Sequence, residues 1–180
     1  LNSPGNPSGA VYSRAQLDAL AEVLRDNPHV GIIADEIYQH ICYVPFTSFR
    51  MVAPDLADRT LIVNGVSKSY AMTGWRIGWG IAPKRLIEAM IAVQGQITSG
   101  ASSVSQAAAL AALNGDQQLL AERNDDFRSR RDMVQAALNA TGLIRCGSAD
   151  GAFYLFPDCT AAFGKKTPDG TRIEKDADFC

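Results

Sequence analysis

The amino-acid sequence predicts an α/β fold, in which helices cover a doubly wound, mainly parallel sheet. Two continuous apolar runs support this prediction: "VGIIAD" at residues 30–35 and "TLIVNG" at residues 60–65. Such runs are typical of parallel strands that are buried on both faces. "RIGWGIA" at residues 76–82 is a third candidate strand. Segments with helical spacing alternate with these runs, and that alternation favours a layered α/β architecture.

The helices are predicted from the spacing of apolar residues and from signals at the helix ends. Ser13 is expected to cap the first helix, and Pro83 is expected in the first turn of the second. One face of the first helix carries Leu17, Leu20, Ala21 and Leu24. The predicted helices cover residues 14–26, 83–97, 102–115 and 116–142.

The charged helix near the end of the chain indicates a second domain. Residues 1–125 are expected to belong to a large domain, and residues 126–142 to link it to a smaller one. Residues 143–180 would then be part of that small α+β domain, with a strand pair over residues 144–158. The chain starts with "LNSPGNPSG" and ends with "KDADFC", so we expect both ends to continue in a longer protein.

Composition excludes several classes of function. The 180 residues carry a net charge of −2, which disfavours nucleic acid or an anionic membrane as the main partner. The four cysteines show no C-x-x-C spacing and are expected to be reduced thiols of a cytoplasmic protein. With only two histidines, a histidine-based metal centre or a Ser-His-Asp triad is not expected.

Three polar residues are expected at one edge of the predicted sheet. Asp35 follows the first strand, Lys68 follows the second, and Asn6 lies in a Pro- and Gly-rich loop. Ligands of open α/β sheets bind at the carboxyl ends of the strands. Each residue also has a simpler interpretation: Asp35 as a helix cap, Lys68 as a solvated lysine and Asn6 as a turn residue. Their combination favours a binding site.

The residue types at this edge match the requirements of pyridoxal phosphate. Its aldehyde needs a lysine amine, for which Lys68 is the candidate. Its ring nitrogen needs a carboxylate to stay protonated, which Asp35 could supply. Tyr38 together with Asn6 could donate hydrogen bonds to its phenolic oxygen, and Arg76 could bind its phosphate.

Several motifs resemble those of class I and II aminotransferases, the fold-type-I pyridoxal-phosphate enzymes that include aspartate aminotransferase. They are "NSPGNPSG", "ADEIY", "SKSYAMTGWRIGWG", "QAAALAAL" and "DGAFYLFPD", in the expected order over nearly the whole chain. The segment around Lys68 is the most specific of them. The resemblance implies that this chain is a fragment of the three-layer αβα cofactor-binding domain plus the start of the small C-terminal domain.

The resemblance also implies a role for each matching residue. Lys68 matches the Schiff-base lysine, which moves the substrate α-proton, and Asp35 matches the carboxylate on the ring nitrogen. Tyr38 matches the tyrosine on the ring oxygen. Asn6 matches the asparagine that touches that oxygen and the substrate carboxylate, and its bond to Pro7 is cis in relatives. Arg76 matches a phosphate ligand.

The sequence departs from the family pattern at one position and lacks other parts of the site. Some relatives carry a phosphate-binding serine where Gly65 stands, and Ser67 is a weaker substitute. The family's phosphate loop and stacking aromatic are expected before Leu1, and its substrate-binding arginine after Cys180. We therefore expect residues 1–180 alone to be a poor catalyst.

The expected activity is transamination between an amino acid and a 2-oxo acid, in a protein that is a homodimer when whole. Within the family, a C–S lyase or an aminocyclopropane carboxylate synthase would use the same residues. A non-catalytic alternative is the sensor domain of a regulator built on this fold. Sequence beyond the two ends would separate the enzyme from the sensor domain.

Overall fold

The computed structural model describes residues 1–180 as a small mixed sheet with helices around it. The helices are α1 (Arg14–Arg25), α2 (Phe49–Val52), α3 (Lys84–Thr98), α4 (Ser103–Asn114), α5 (Gln118–Ala140) and α6 (Asp176–Phe179). The strands are β1 (Ile32–Asp35), β2 (Thr60–Gly65) and β3 (Gly78–Ile81). The four predicted long helices and three predicted strands are thus all present, with ends shifted by a few residues.

The sheet has the order β1-β2-β3, with β2 in the centre. β1 and β2 are parallel, whereas β3 runs antiparallel to β2 along one edge. The first residues of the chain extend the other edge, because Asn2 forms a parallel bridge with Asp35. Most of the pairing is therefore parallel. The carboxyl ends of β1 and β2, at Asp35 and Gly65, lie at the same end of the sheet.

One face of the sheet is covered by α1 and by the segment around α2. The buried cluster there consists of Leu17, Ala21, Ile32, Ala34, Phe49, Val52, Ala53, Leu56 and Ile62. α1 is held at its start by a capping box between Ser13 and Gln16. At its other end, Arg59 donates to the carbonyl oxygens of Leu24 and Asn27. These contacts fix α1 against the edge where β1 begins.

The prediction that β1 is buried on both faces is wrong for this chain. Ile32 and Ala34 are buried, but Ile33 between them is 59% exposed. Its side chain points to the other face of the sheet, because successive residues of a strand alternate between faces. No helix of residues 1–180 covers Ile33. Only one face of β1 is therefore buried in this chain, although the residues on both faces are apolar.

The helices after β3 leave much apolar surface exposed. Side chains of this kind on α3 and α4 include Met90, Ile91, Val93, Ile97, Val104, Leu110 and Leu113. Even so, none of the helices combines the length and the apolar composition that a membrane-spanning segment requires. The predicted division into a large domain (1–125), a linking helix (126–142) and a small domain (143–180) remains a prediction. The helix α5 runs unbroken from Gln118 to Ala140 and so spans the first of these boundaries.

The predicted strand pair over residues 144–158 is also wrong. Only one antiparallel bridge, between Arg145 and Asp158, joins the two arms of this segment. Its middle part pairs elsewhere, because Gly151 bridges to Cys42. Around residues 150–152 the backbone is hydrogen-bonded to distant parts of the chain instead of to the opposite arm, which is why a local hairpin pattern was misleading.

Gly9 is the point at which this late segment contacts the first loop of the chain. Its carbonyl oxygen accepts hydrogen bonds from the amides of Asp150 and Gly151, both at 2.9 Å. Gly9 has a positive φ of +68°, and a Cβ atom on it would lie 2.5 Å from the Cβ of Ala149. Only glycine fits this position without displacing the segment.

We predict that Gly9→Ala lowers the free energy of unfolding by about 2–5 kcal/mol, the combined cost of a left-handed alanine and of overpacking. Chemical denaturation with urea measures this change. Gly31→Ala is the matched control, because a Cβ on Gly31 meets nothing within 4 Å. Equal stability of the two variants would show that residues 149–151 do not depend on the Gly9 loop.

Candidate functional site

The register of the sheet places Asp35 and Lys68 at the same edge. Asp35 is the last residue of β1 and pairs with Val63 of β2. β2 ends at Gly65, and Lys68 lies in the turn that follows. Because the two strands are parallel, both polar residues leave the sheet on its carboxyl side, as the sequence predicts.

Asp35 is held by two hydrogen bonds to its carboxylate. Asn2 Nδ2 donates to Oδ2 at 3.0 Å, and the amide of Ile37 donates to Oδ1 at 3.1 Å. No helix starts after Asp35, since residues 37–40 form turns. The simpler interpretation of Asp35 as a helix cap is therefore wrong, although its bond to Ile37 does stabilise a local turn.

Asn2 connects Asp35 to the loop that carries Asn6. Its Oδ1 accepts a hydrogen bond from the Asn6 amide at 2.8 Å, while its Nδ2 binds Asp35. The two peptide bonds Ser3–Pro4 and Asn6–Pro7 in this loop are cis. A single amide side chain thus fixes two of the predicted site residues relative to each other, and the sequence analysis missed it.

The neighbouring carboxyl group of Glu36 has a different task. It is 5% exposed, and its Oε1 accepts hydrogen bonds from Ser48 Oγ at 2.9 Å and from the Phe49 amide at 3.1 Å. Burial raises the pKa of Glu36, and the hydrogen bonds oppose that rise. Glu36 therefore holds the start of α2, while Asp35 is directed to the sheet edge.

Tyr38 lies at the centre of a group of aromatic side chains. It is 3% exposed, and its hydroxyl lies 2.7 Å from the hydroxyl of Tyr154. Burial raises the pKa of Tyr38; Tyr154, where it accepts the Tyr38 proton, and the charge of Asp35 raise it further, and the Asn6 side chain opposes the rise. The Tyr38 hydroxyl is thus kept protonated beside Asn6 and Asp35.

The turn that carries Lys68 is anchored on both sides. Val66 and Tyr70, the buried residues that flank it, pack with Ala109 of α4 and Leu120 of α5. The Tyr70 hydroxyl also donates to Gln117 Oε1 at 2.6 Å. The position of Lys68 is therefore set by the helices behind the sheet rather than by a mobile loop.

Phe153 brings the Lys68 amine and Tyr38 to one place. Lys68 Nζ lies 5.8 Å from the centre of the Phe153 ring. The Tyr38 ring contacts the same Phe153 ring edge to face, with centroids 5.3 Å apart. Lys68, Tyr38, Asp35 and Asn6 therefore surround one region at the edge of the sheet.

Arg76 and Ser67 are less closely connected to this region. Arg76 adopts a left-handed backbone conformation, is exposed, and donates through Nη1 to the carbonyl oxygen of Thr73 at 2.9 Å. Ser67 lies in the lysine turn, half-buried, and its carbonyl oxygen accepts from the Met72 amide. Both residues are near Lys68 in the chain, but no hydrogen bond joins them to it.

The structure explains why glycine stands at residue 65, where some relatives have serine. A Cβ atom on Gly65 would lie 2.8 Å from the carbonyl oxygen of Ile77 and 3.0 Å from the Cα of Gly78. The close approach of β3 therefore excludes a serine unless the backbone moves. Ser67 remains the nearest hydroxyl before Lys68.

The comparisons with known proteins agree with this fold. The family model described as aminotransferase class I and II matches residues 1–178. The chain therefore belongs to the class I and II aminotransferase family, as its motifs suggest.

The similar proteins are aspartate aminotransferases and their relatives. An aspartate aminotransferase from Rhizobium meliloti (strain 1021) is 53% identical over 182 residues, which cover 100% of this chain and 44% of the relative. An aspartate/prephenate aminotransferase from Cereibacter sphaeroides is 46% identical, with 99% of this chain and 45% of the relative covered. The chain thus spans less than half the length of the curated relatives it matches.

Solved structures give the same result. The crystal structure of the aspartate aminotransferase from Rhizobium meliloti superposes with a TM-score of 0.96 at 52% identity, covering 100% of this chain and 46% of that one. A mutant of Thermus thermophilus aspartate aminotransferase gives a TM-score of 0.83 at 37% identity, with 90% and 42% covered. This chain therefore has part of the fold of a fold-type-I enzyme.

We predict that Asn2→Ala loosens the loop that carries Asn6 and destabilises the protein by about 1–3 kcal/mol, the cost of a part-buried polar group left without its partner. Hydrogen exchange of the Asn6 amide should become faster. Ser8→Ala is the matched control, because Ser8 Oγ binds the amide of Ala10 and not that of Asn6. Unchanged protection of Asn6 in Asn2→Ala would contradict the link between the two residues.

Proposed function

We propose that the whole protein catalyses pyridoxal-phosphate-dependent transamination between an amino acid and a 2-oxo acid. The observation that carries this proposal is the convergence of Asp35, Tyr38, Asn6 and Lys68 at one sheet edge, in a chain of the aminotransferase family. The names of its relatives support aspartate as the first amino acid to test. They also favour an aminotransferase over a lyase, a synthase or a sensor domain.

The residues at this edge of the sheet have free hydrogen-bond donors and acceptors that match those of pyridoxal phosphate. Each oxygen of the Asp35 carboxylate accepts one hydrogen bond and retains a lone pair for the ring nitrogen. The Arg76 guanidinium uses one of its five N–H groups on Thr73, which leaves the others for a phosphate. The set therefore contains an amine, a carboxylate, a hydroxyl, an amide and a guanidinium, each of which matches one group of the cofactor.

When bound, pyridoxal phosphate supplies an electron-withdrawing ring that stabilises negative charge on the substrate α-carbon. Lys68 would hold the cofactor through its amine at the aldehyde carbon, and the free amine would take up and return the substrate α-proton. Asp35 holds a proton on the ring nitrogen, because its negative charge favours the protonated form. Tyr38 and Asn6 would hold the phenolic oxygen by donating hydrogen bonds to it.

Two further roles complete the proposal for this chain. Arg76 binds the phosphate with help from Ser67, and Asn6 also contacts the substrate carboxylate. The resemblance to homodimeric enzymes of the cytoplasm leads us to propose the same assembly and location for the whole protein. Its substrates are then an amino acid and a 2-oxo acid that share this one site.

We predict that Lys68 carries the cofactor in the whole protein. Borohydride reduction of the protein loaded with pyridoxal phosphate, followed by peptide mass mapping, should place the label on Lys68 alone. Lys84 serves as an internal control, because it is exposed and lies in the first turn of α3. A label on any other lysine would refute the assignment.

We also predict that Asp35→Ala reduces turnover of the whole protein by at least about 100-fold, the usual loss when a group that stabilises developing charge is removed. The reason is that the ring nitrogen would lose its counter-charge. Steady-state kinetics measures the loss, and circular dichroism checks the fold.

Glu36→Gln is the matched control for this experiment. It removes the adjacent carboxylate, while Gln Oε1 can still accept from Ser48 and Phe49. Turnover of Glu36→Gln should stay near that of the unmodified protein. If Asp35→Ala were equally active, Asp35 would serve only to hold Asn2 and Ile37.

A further inference from the structure

We infer that Tyr154 is a positioning residue. Its hydroxyl donates a hydrogen bond to the Tyr38 hydroxyl and so strengthens the hydrogen bond from Tyr38 to the phenolic oxygen of the cofactor. This inference rests on the proposed function, because it needs a cofactor oxygen beside Tyr38. It assigns a role to a residue that lies 116 positions from Tyr38 in the sequence. It also connects the late part of the chain to the site.

The direction of the hydrogen bond follows from counting protons. The two hydroxyl oxygens lie 2.7 Å apart, and either could be the donor. A tyrosine hydroxyl has one proton to donate and two lone pairs to accept with. If Tyr38 donates its proton to the cofactor oxygen, it has none left for Tyr154. Tyr154 must then be the donor in their shared bond.

The surroundings hold both hydroxyl groups in place for this task. The rings of Tyr38 and Tyr154 meet edge to face at 5.7 Å, and Phe153 contacts both. Phe153 stacks in turn on Phe127 of α5, with centroids 5.5 Å apart. The two rings therefore have little freedom to turn away from each other.

The backbone before Tyr154 is fixed as well. Ala152 is fully buried, has a left-handed conformation with φ of 57°, and its amide donates to the carbonyl oxygen of Ile41 at 2.8 Å. A left-handed alanine is costly and persists only where the surroundings enforce it. The neighbouring amides of Asp150 and Gly151 bind Gly9, in the same loop as Asn6. The segment that carries Tyr154 is thus hydrogen-bonded both to Ile41 and to the Gly9 loop.

Donation from Tyr154 has a measurable effect on the bound cofactor. In a chain of hydrogen bonds, each bond polarises the next by about 10–30%. A stronger donor on the phenolic oxygen stabilises its negative charge, and does so most when the nitrogen that links Lys68 to the cofactor is neutral. Loss of the donor should therefore raise the pH at which that nitrogen loses its proton. Besides Tyr154, Asp35 is the titratable group that acts on Tyr38.

The test is a pH titration of the cofactor absorption band in the whole protein loaded with pyridoxal phosphate. Tyr38→Phe should raise the midpoint and sets the scale. Tyr154→Phe should raise it in the same direction, by about a tenth to a third of the Tyr38→Phe shift. In the double variant, Tyr154→Phe should add nothing to Tyr38→Phe, because the effect passes through the Tyr38 hydroxyl.

Tyr43→Phe is the matched control. Tyr43 lies in the same aromatic cluster, but its hydroxyl donates to the carbonyl oxygen of Ala152 at 2.5 Å and not to Tyr38. Its midpoint should equal that of the unmodified protein. A purely structural role of Tyr154 would give similar shifts in Tyr43→Phe and Tyr154→Phe.

Three results would overturn the inference. They are an unchanged midpoint in Tyr154→Phe, a shift that persists in the Tyr38→Phe background, and a shift of equal size in Tyr43→Phe. If Tyr38→Phe shifts the midpoint in each of these cases, the proposed function stands without Tyr154. If no absorption band forms on Lys68, both the proposed function and this inference fail.

Discussion

The site depends on the parallel pairing of β1 with β2. This pairing sets Asp35 opposite Val63, so that the ends of the two strands lie side by side. The amide of Glu36 continues the pairing by donating to the carbonyl oxygen of Val63 at 2.9 Å. A slip of one residue would turn Asp35 to the other face of the sheet, since side chains alternate along a strand. The buried residues Ile32, Ala34 and Ile62 oppose such a slip, because it would expose them.

A second constraint is the return of the chain to its own start. Residues 149–154 lie on the Gly9 loop and on residues 41–43, and they bring Phe153 and Tyr154 to Tyr38. Arg131 of α5 holds the same segment by donating to the carbonyl oxygen of Ala149 at 2.6 Å. The position of the long helix is therefore linked to the aromatic side of the site. Movement of the late segment would act on Tyr38 through direct contacts.

The sequence was sufficient to predict the sheet edge and the residues on it. Asp35 and Lys68 follow apolar runs, and a parallel sheet brings such positions together whatever their separation in the chain. Asn2 and Tyr154 lie in two of the quoted motifs, but their contacts could not be found in this way, because their partners are 33 and 116 residues distant in the chain. The segment 144–158 was misjudged because alternating apolar residues show that a segment is extended but not what it pairs with. The exposure of Ile33 was not predicted, because an apolar run indicates that a strand is buried but does not show which elements cover each of its faces.

A crystal structure of the whole protein loaded with pyridoxal phosphate tests the central claim most directly, since that claim concerns the position of one ring. Continuous density should run from Lys68 Nζ to the ring, with the ring nitrogen about 2.6–3.2 Å from an Asp35 oxygen and the phenolic oxygen at similar distances from Tyr38 and Asn6. Asn2 and Ile37 should keep their hydrogen bonds to Asp35. A ring nitrogen that faces solvent or another side chain, with Asp35 bonded only to Asn2 and Ile37, would contradict the account.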